Sequence, residues 1–300
     1  LMEEILLSRI DHIIGSGGIW CIDFDLGMQC LGEYLHEIDM AESGIKLKDF
    51  AAEREKNCLR ILSSSDNHIS ELSRRDVEEI APGSIAKLEL SGVMRLHDGM
   101  SSMGTKSLER EINYAKSNPN VDGLLIEVSS GGGESVAGNH LHTVIKNFGK
   151  PVVAAVHYAG SAAYKSILKA DEIIGIGELS SVGSIGTMFS INKKMLEYIK
   201  NNFVELYSDL SPQKNKAFRD LLNDDTSGIK DDINRVAKIF QDTVVEGRKL
   251  NPDSKLTKDT LEGAMFLAQD AKKRNLLDQV GSMDLAISRL RSHISYKRKK

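Results

Sequence analysis

Few features of this chain announce a class outright, and what is scarce narrows the field first. Only three of 300 residues are cysteine, and Cys21, Cys30 and Cys58 all fall in the first fifth. An odd number without metal-ligand spacing is a poor disulfide framework and argues against a cysteine-based metal site, and it fits a reducing compartment. No window approaches the roughly 18 consecutive apolar residues of a membrane-spanning helix. The opening Leu1-Met2-Glu3-Glu4-Ile5-Leu6-Leu7 is acidic where a signal peptide is basic. A cytoplasmic protein without a membrane span is therefore expected. Charge of neither sign dominates: 39 Lys and Arg face 43 Asp and Glu, a net of −4. That balance argues against nucleic acid as a main partner. The one basic run, Lys297-Arg298-Lys299-Lys300, reads as a solvated tail over residues 293–300. No internal repeat or low-complexity tract is present, and nothing points to a metal or a cofactor.

What is present divides in two. Residues 1–80 hold the single tryptophan, Trp20, and a charged stretch of helix formers, Leu47-Lys48-Asp49-Phe50-Ala51-Ala52-Glu53-Arg54-Glu55-Lys56. They read as a mainly helical N-terminal extension, with a break at Ser63-Ser64-Ser65-Asp66-Asn67 and a turn at Ala81-Pro82-Gly83. Residues 81–292 alternate strand and helix. Ile85-Ala86-Lys87-Leu88-Glu89-Leu90 has strand alternation, and residues 105–117 place Leu108, Ile112 and Ala115 on one helical face. Apolar runs at 121–128, 152–156 and 172–176 predict further strands, with helices at 135–147 and from 161 to about 169. This order predicts an α/β domain with a mostly parallel sheet.

Two segments carry chemistry. Ser161 lies in Tyr158-Ala159-Gly160-Ser161-Ala162-Ala163-Tyr164, after an apolar strand and among residues too small to shield it. The 121–128 strand ends in Ser129-Ser130-Gly131-Gly132-Gly133, read as a glycine turn whose amides are free. A bare serine at a strand-to-helix junction supplies a nucleophile, and the turn supplies a place for an oxyanion. Either feature alone is ordinary: a glycine turn between strand and helix, or a helix N-cap. Their pairing, each after an apolar strand, favours acyl transfer. A Walker-like stretch at residues 99–107 is out of register, because Thr105 separates Gly104 from Lys106. The glycine triplet also lacks the spaced third glycine of a dinucleotide fingerprint. No histidine has a signature tying it to Ser161: His157 reads as packed at a strand end, and His140 and His142 as surface residues. A lysine base is the alternative, and it needs burial to bring its pKa toward neutrality.

At these residues the chain resembles the signal peptide peptidase A family of serine peptidases, including its phage head-maturation branch. That family shares its fold with Clp protease and crotonase. The resemblance runs over about residues 84–290. It rests on Ile85-Ala86-Lys87-Leu88-Glu89-Leu90-Ser91-Gly92-Val93, Val128-Ser129-Ser130-Gly131-Gly132-Gly133, Ala159-Gly160-Ser161-Ala162-Ala163-Tyr164, Ala170-Asp171-Glu172-Ile173, Val182-Gly183-Ser184-Ile185-Gly186, and a C-terminal stretch from Gly263 to Gly281. Each piece is weak alone, and the ordered set is specific. Gly131 stands where the family often has proline, and alanines replace the glycines after the serine.

The resemblance implies repeated ββα units and a Ser/Lys dyad. Ser161 is then the nucleophile, Gly132 and Ala162 supply oxyanion amides, and Ser184 orients the lysine. The lysine falls in Ser211-Pro212-Gln213-Lys214-Asn215-Lys216, with Lys214 preferred, Lys216 second, and Lys165, one helical turn from Ser161, third. Lys165 otherwise reads as a solvated or subunit-contact residue. Partners implied are protein or peptide substrates, a homo-oligomer that shares the dyad between subunits, and phage capsid and scaffold proteins processed in the host cytoplasm or procapsid. Competing readings are a cytoplasmic signal-peptide-peptidase-like protease, a crotonase-type acyl-CoA enzyme using Glu134, and a non-catalytic capsid scaffold protein.

Overall fold

Alternating side chains on three central strands decide the architecture. In the computed structural model, which describes residues 20–22, 58–65, 68–74, 79–98, 103–191 and 193–300, the strands are β1 (Trp20–Ile22), β2 (Leu59–Ser65), β3 (His68–Ser73), β4 (Ser84–Met94), β5 (Val121–Glu134), β6 (Val152–Gly160), β7 (Glu172–Ile176), β8 (Ser181–Gly183), β9 (Met265–Leu267) and β10 (Gln279–Gly281). The sheet order is β10-β7-β6-β5-β4-β2-β3. From β10 to β4 every pairing is parallel, while β2 joins β4 and β3 antiparallel. The far end of β6 leaves β7 and pairs instead with β8, which pairs antiparallel with β9. The structure is thus α/β with a mostly parallel sheet.

Both faces of the sheet are covered, which is why its strands read as continuous apolar runs. Ala86, Leu88 and Leu90, Leu124, Ile126 and Val128, and Val152, Ala154 and Val156 fill one core. Helices α1 (Thr105–Ser117), α2 (Ser135–Lys146) and α3 (Ala162–Ile167) lie on it, burying Leu108, Ile112 and Ala115 from α1 and Ala137, Leu141 and Ile145 from α2. The alternate residues Ile85, Leu125, Val153, Ala155 and Ile174 form a second core.

The described residues divide into two units: Thr187–Ile239, and a sheet unit made of those described between Cys21 and Gly186 together with Phe240–Lys300. The former contains α4 (Lys193–Asn202), α5 (Lys216–Leu222) and the first half of α6 (Ser227–Arg248). Within it, Thr187 Oγ1 donates to Ile233 O at 2.7 Å, and Arg219 lies 4.5 Å from the Tyr207 ring centre. The sheet unit receives Phe240, Val244 and Arg248 of α6 as buried residues, followed by α7 (Lys255–Thr260), α8 (Ala268–Lys273) and α9 (Met283–Arg298). The second core is closed by Ala286, Leu290 and Ile294 of α9. No helix among the described residues is long and apolar enough to cross a membrane.

Two polar clusters fasten the last segments to the sheet. Arg248 grips Asp278 with two nitrogens, at 2.8 and 3.1 Å, and Asp278 also accepts the Ile173 amide of β7 at 2.7 Å. Burial works against the Arg248 charge, but Asp278 outweighs it and the guanidinium pKa is raised. Glu172, also on β7, receives Arg289 at 2.8 Å and Gln279 at 2.5 Å, with the His293 ring 3.1 Å away. Burial raises its pKa, and these partners more than reverse that, leaving it below the ordinary carboxylate value.

Several sequence expectations change here. Leu59–Ser65 and His68–Ser73, assigned to the helical extension, are strands of the main sheet, and Ser63 to Ser65 belong to β2. The helix-forming stretch at 47–56 lies outside the described residues. Residues 131–133 do not form a turn but continue β5 to Glu134, because Val93 and Met94 of β4 pair with Gly132 and Gly133. His157 is exposed rather than packed, with Nε2 3.0 Å from Glu127 Oε1. Glu127 also meets Lys87 at 2.9 Å, so the sheet face beyond α9 carries a row of charge.

Candidate active site

Ser161 sits where β6 ends and α3 begins. Its backbone angles, φ 53° and ψ −118°, are rare for a residue with a side chain. Such a conformation costs on the order of 1–3 kcal/mol and persists only when its surroundings impose it. Here they do. The Ser161 amide donates to Gly183 O at 2.9 Å, and its carbonyl accepts the Lys165 amide at 2.9 Å. The hydroxyl points toward Gly186 O at a long 3.5 Å. The residue is 1% exposed in this state.

The small residues around it are small for steric reasons. A Cβ on Gly160 would stand 3.1 Å from Gly131 O, so β5 and β6 approach closely just before the serine. A Cβ on Gly138 of α2 would stand 2.9 Å from both the Cβ and the carbonyl oxygen of Ala162. A Cβ on Gly183, φ 141°, would stand 2.3 Å from Ala264 O, and the Ser184 amide donates to that same oxygen at 2.8 Å. Ser184 itself has φ 51°.

Register completes the arrangement. Ser130 pairs with Ala159, and Gly160 pairs with Gly183, so residues 131–133 run alongside the start of the nucleophile segment. Gly132 has φ 101°, open to glycine, and Gly133 cannot take a side chain because its Cβ would stand 2.1 Å from Met94 O. Ala162 opens α3, where the first amides have no acceptor within the helix. Ser161, Ala162, Gly132 and Ser184 therefore share one end of the sheet.

The lysines are distributed differently. Lys214 and Lys216 lie in the Thr187–Ile239 unit, both exposed; the Lys214 amide donates to Ser211 O at 3.1 Å, and the Lys216 ammonium pairs with Asp220 at 2.5 Å. Lys165, otherwise read as solvated, is 5% exposed, with Nζ 5.8 Å from the Phe240 ring centre. His142, expected at the surface, is half-buried with Nδ1 3.0 Å from Lys165 O. Burial depresses its pKa, the bond to Lys165 O acts the other way, and nearby lysines depress it further. Glu134 accepts the Leu96 amide at 2.8 Å. Tyr164 is fully buried, and its hydroxyl donates to Leu276 O at 2.9 Å; burial raises its pKa.

Sequence reasoning assigned no task to Ser130, Gly138 or the Arg248–Asp278 pair. A glycine inside a helical stretch was the available signal for Gly138. For the other two the signal lies in partners far along the chain. Among the described residues no cluster of His, Cys, Asp and Glu is arranged to hold a metal.

A strained serine between a parallel strand and a short helix, flanked by a glycine-lined strand, marks one end of the sheet of this α/β protein. The profile of peptidase family S49 matches residues 145–297, and the chain belongs to that family. A putative protease of Methanocaldococcus jannaschii is 25% identical over 248 residues, covering 77% of this chain and 78% of that protein. Protease 4 of Haemophilus influenzae is 26% identical over 234 residues, covering 75% of this chain but 37% of the relative, so the chain spans little more than a third of that protein. Among solved structures, ClpP1 from Listeria monocytogenes matches at a TM-score of 0.41 and 14% identity, over 65% of this chain and 91% of that one. An enoyl-CoA hydratase from Bacillus anthracis matches at 0.43 and 12%, over 75% and 76%. Neither structural likeness bears on chemistry.

Proposed function

We propose that the protein is a serine endopeptidase that works through an acyl-enzyme, with Ser161 as nucleophile and Lys214 as base. The observation that carries this reading is the imposed backbone of Ser161 beside the glycine-lined strand, in a chain of a peptidase family. The neutral amine of Lys214 takes the Ser161 hydroxyl proton, and Oγ bonds to the scissile carbonyl carbon. The Gly132 and Ala162 amides hold the oxyanion. Its collapse breaks the C–N bond, and the lysine returns the proton to the leaving amine. A water deprotonated by the same lysine then releases the acyl group and restores Ser161. Ser184 orients the lysine, and Lys216 is the second candidate for it.

A lysine base needs desolvation, and Lys214 is exposed in the single chain. The proposed dyad therefore requires that Lys214 be covered in the active form, as a homo-oligomer sharing the dyad would do. Mixing Ser161→Ala chains with Lys214→Ala chains tests the sharing: activity returns only if serine and lysine come from different copies. The substrate binds extended, as an added strand, with small or apolar side chains near the scissile bond. Labelling by a fluorophosphonate, located by mass spectrometry, tests the centre of the reading; absence of label on Ser161 would sink it.

Phage or prophage capsid and scaffold proteins are the substrates that the resemblance to head-maturation proteases suggests. A cellular protease of the signal peptide peptidase type is the second reading, favoured by the archaeal and bacterial proteases to which the chain is similar. Co-expression with a capsid and scaffold pair separates the two: processing by the parent chain but not by Ser161→Ala supports the first.

A further inference from the structure

Ser130 is a buried hydroxyl in the glycine-lined strand, with no exposed surface. It continues the alternation of Leu124, Ile126 and Val128, which face the helix-covered core. From the pair Ser91–Ser129 to the pair Val93–Gly132 the neighbouring strand β4 advances two residues and β5 three, so β5 carries the extra residue of a bulge opposite Gly92, whose φ is 71°. A bulge interrupts the ladder, and the half-buried carbonyl of Gly92 opposite it is free to take a side-chain donor. Ser130 Oγ–H donates to Gly92 O at 2.6 Å. With its proton committed, the oxygen keeps lone pairs free to accept, and the Gly132 amide donates to it at 3.2 Å. One hydroxyl thereby ties Gly92 of β4, across the bulge, to the amide of Gly132.

We propose that Ser130 is a positioning residue for the oxyanion site: it holds the Gly132 N–H on the helix-covered side of the sheet, beside the nucleophile segment. The proposal rests on the reading of Gly132 as an oxyanion donor. The tether is weak enough to be outcompeted, because a neutral hydroxyl at 3.2 Å is a poorer acceptor than a developing oxyanion. It limits how far the glycine-rich backbone strays between turnovers. Glycines at 131, 132 and 133 have no side chains of their own to do this.

The test uses the full chain and a fluorophosphonate, whose adduct places a phosphoryl oxygen where the oxyanion would form. The limiting labelling rate of Ser161 and the half-saturating probe concentration are measured for the parent, Ser130→Ala and Ser130→Cys. Outright loss of an oxyanion donor costs roughly 100- to 1,000-fold; a donor that is present but less ordered is expected to cost about tenfold. Both variants should lose that in limiting rate, with half-saturation changed less than twofold. Ser130→Cys carries the test if Ser130→Ala fails to fold, since sulfur fills the space but accepts poorly. Parental limiting rates in the folded variants, or a loss confined to half-saturation, overturn the proposal. If the parent chain is not labelled at Ser161, the reading of the nucleophile fails and takes this proposal with it.

Discussion

The close contact between Gly138 and Ala162 offers a sharp probe of how Ser161, the proposed nucleophile, is held. Replacing Gly138 by alanine puts a Cβ 2.9 Å from Ala162 Cβ and 2.9 Å from Ala162 O. Carbon contacts settle at about 3.5–4.0 Å, so α2 and α3 must part by roughly 0.6 Å. Neither neighbouring atom is the tip of a side chain that can swing aside. Overpacking of this kind costs about 1–3 kcal/mol. The same substitution returns about 1 kcal/mol of helix propensity. Net destabilisation should therefore stay between about 0 and 2 kcal/mol. Activity should respond more, because Ala162 is the residue after Ser161 and the displacement falls on the proposed nucleophile. A 1 Å misplacement is worth about 100-fold, so about tenfold is expected for the smaller shift. The assay pairs chemical denaturation with the fluorophosphonate labelling rate of Ser161. Ile145→Val, on the same helix and buried away from Ala162, is the comparison: it should cost about 1 kcal/mol and leave labelling unchanged. A folded Gly138→Ala chain that labels at the parental rate would refute the claim that this contact positions Ser161.

Other expectations follow from the polar contacts. Asp278→Ala strands the Arg248 charge, whose side chain is 7% exposed; about 3 kcal/mol of stability should be lost in urea melts, the low end for a buried pair because Asp278 is itself a third exposed. Tyr164→Phe leaves Leu276 O without its donor and should cost about 1–2 kcal/mol by the same measurement. His142 has a folded pKa below its ordinary value of about 6.5, so the unfolded chain takes up the proton first as pH falls. Its contribution is intact above pH 6.5 and is lost between there and its folded pKa. The thermal midpoint should drop on going from pH 7.5 to 5.5, and His142→Gln should flatten part of that drop. A slope identical in parent and variant would remove His142 from the account.

The four strands read at 85–90, 121–128, 152–156 and 172–176 and the helix Thr105–Ser117 were legible because their signals are local. Runs such as Leu124-Leu125-Ile126 and the spacing of Leu108, Ile112 and Ala115 depend only on which faces are covered. The glycine run misled because its structure is set by a neighbour. Residues 131–133 look like a turn in isolation, and become strand because Val93 and Met94 meet them across a bulge. The strands Leu59–Ser65 and His68–Ser73 were hidden for a similar reason: each earns its place by pairing, not by a long apolar run. His142 and Lys165 were misjudged because helix faces near Ser161 turn inward where α2 and α3 touch.

Ser161 as a serine between strand and helix, with glycines at the end of the preceding strand, is a property of neighbouring residues and is visible in one dimension. That its backbone is held at φ 53° is not. That conformation needs an acceptor 22 residues later, at Gly183 O, and a gap at Gly138, 23 residues earlier, into which Ala162 fits. Local patterning determines which segments form and which face they bury. Strain, close approach and the aim of an amide are decided by atoms that meet only when distant segments pack, and those are the terms on which the chemistry of this site depends.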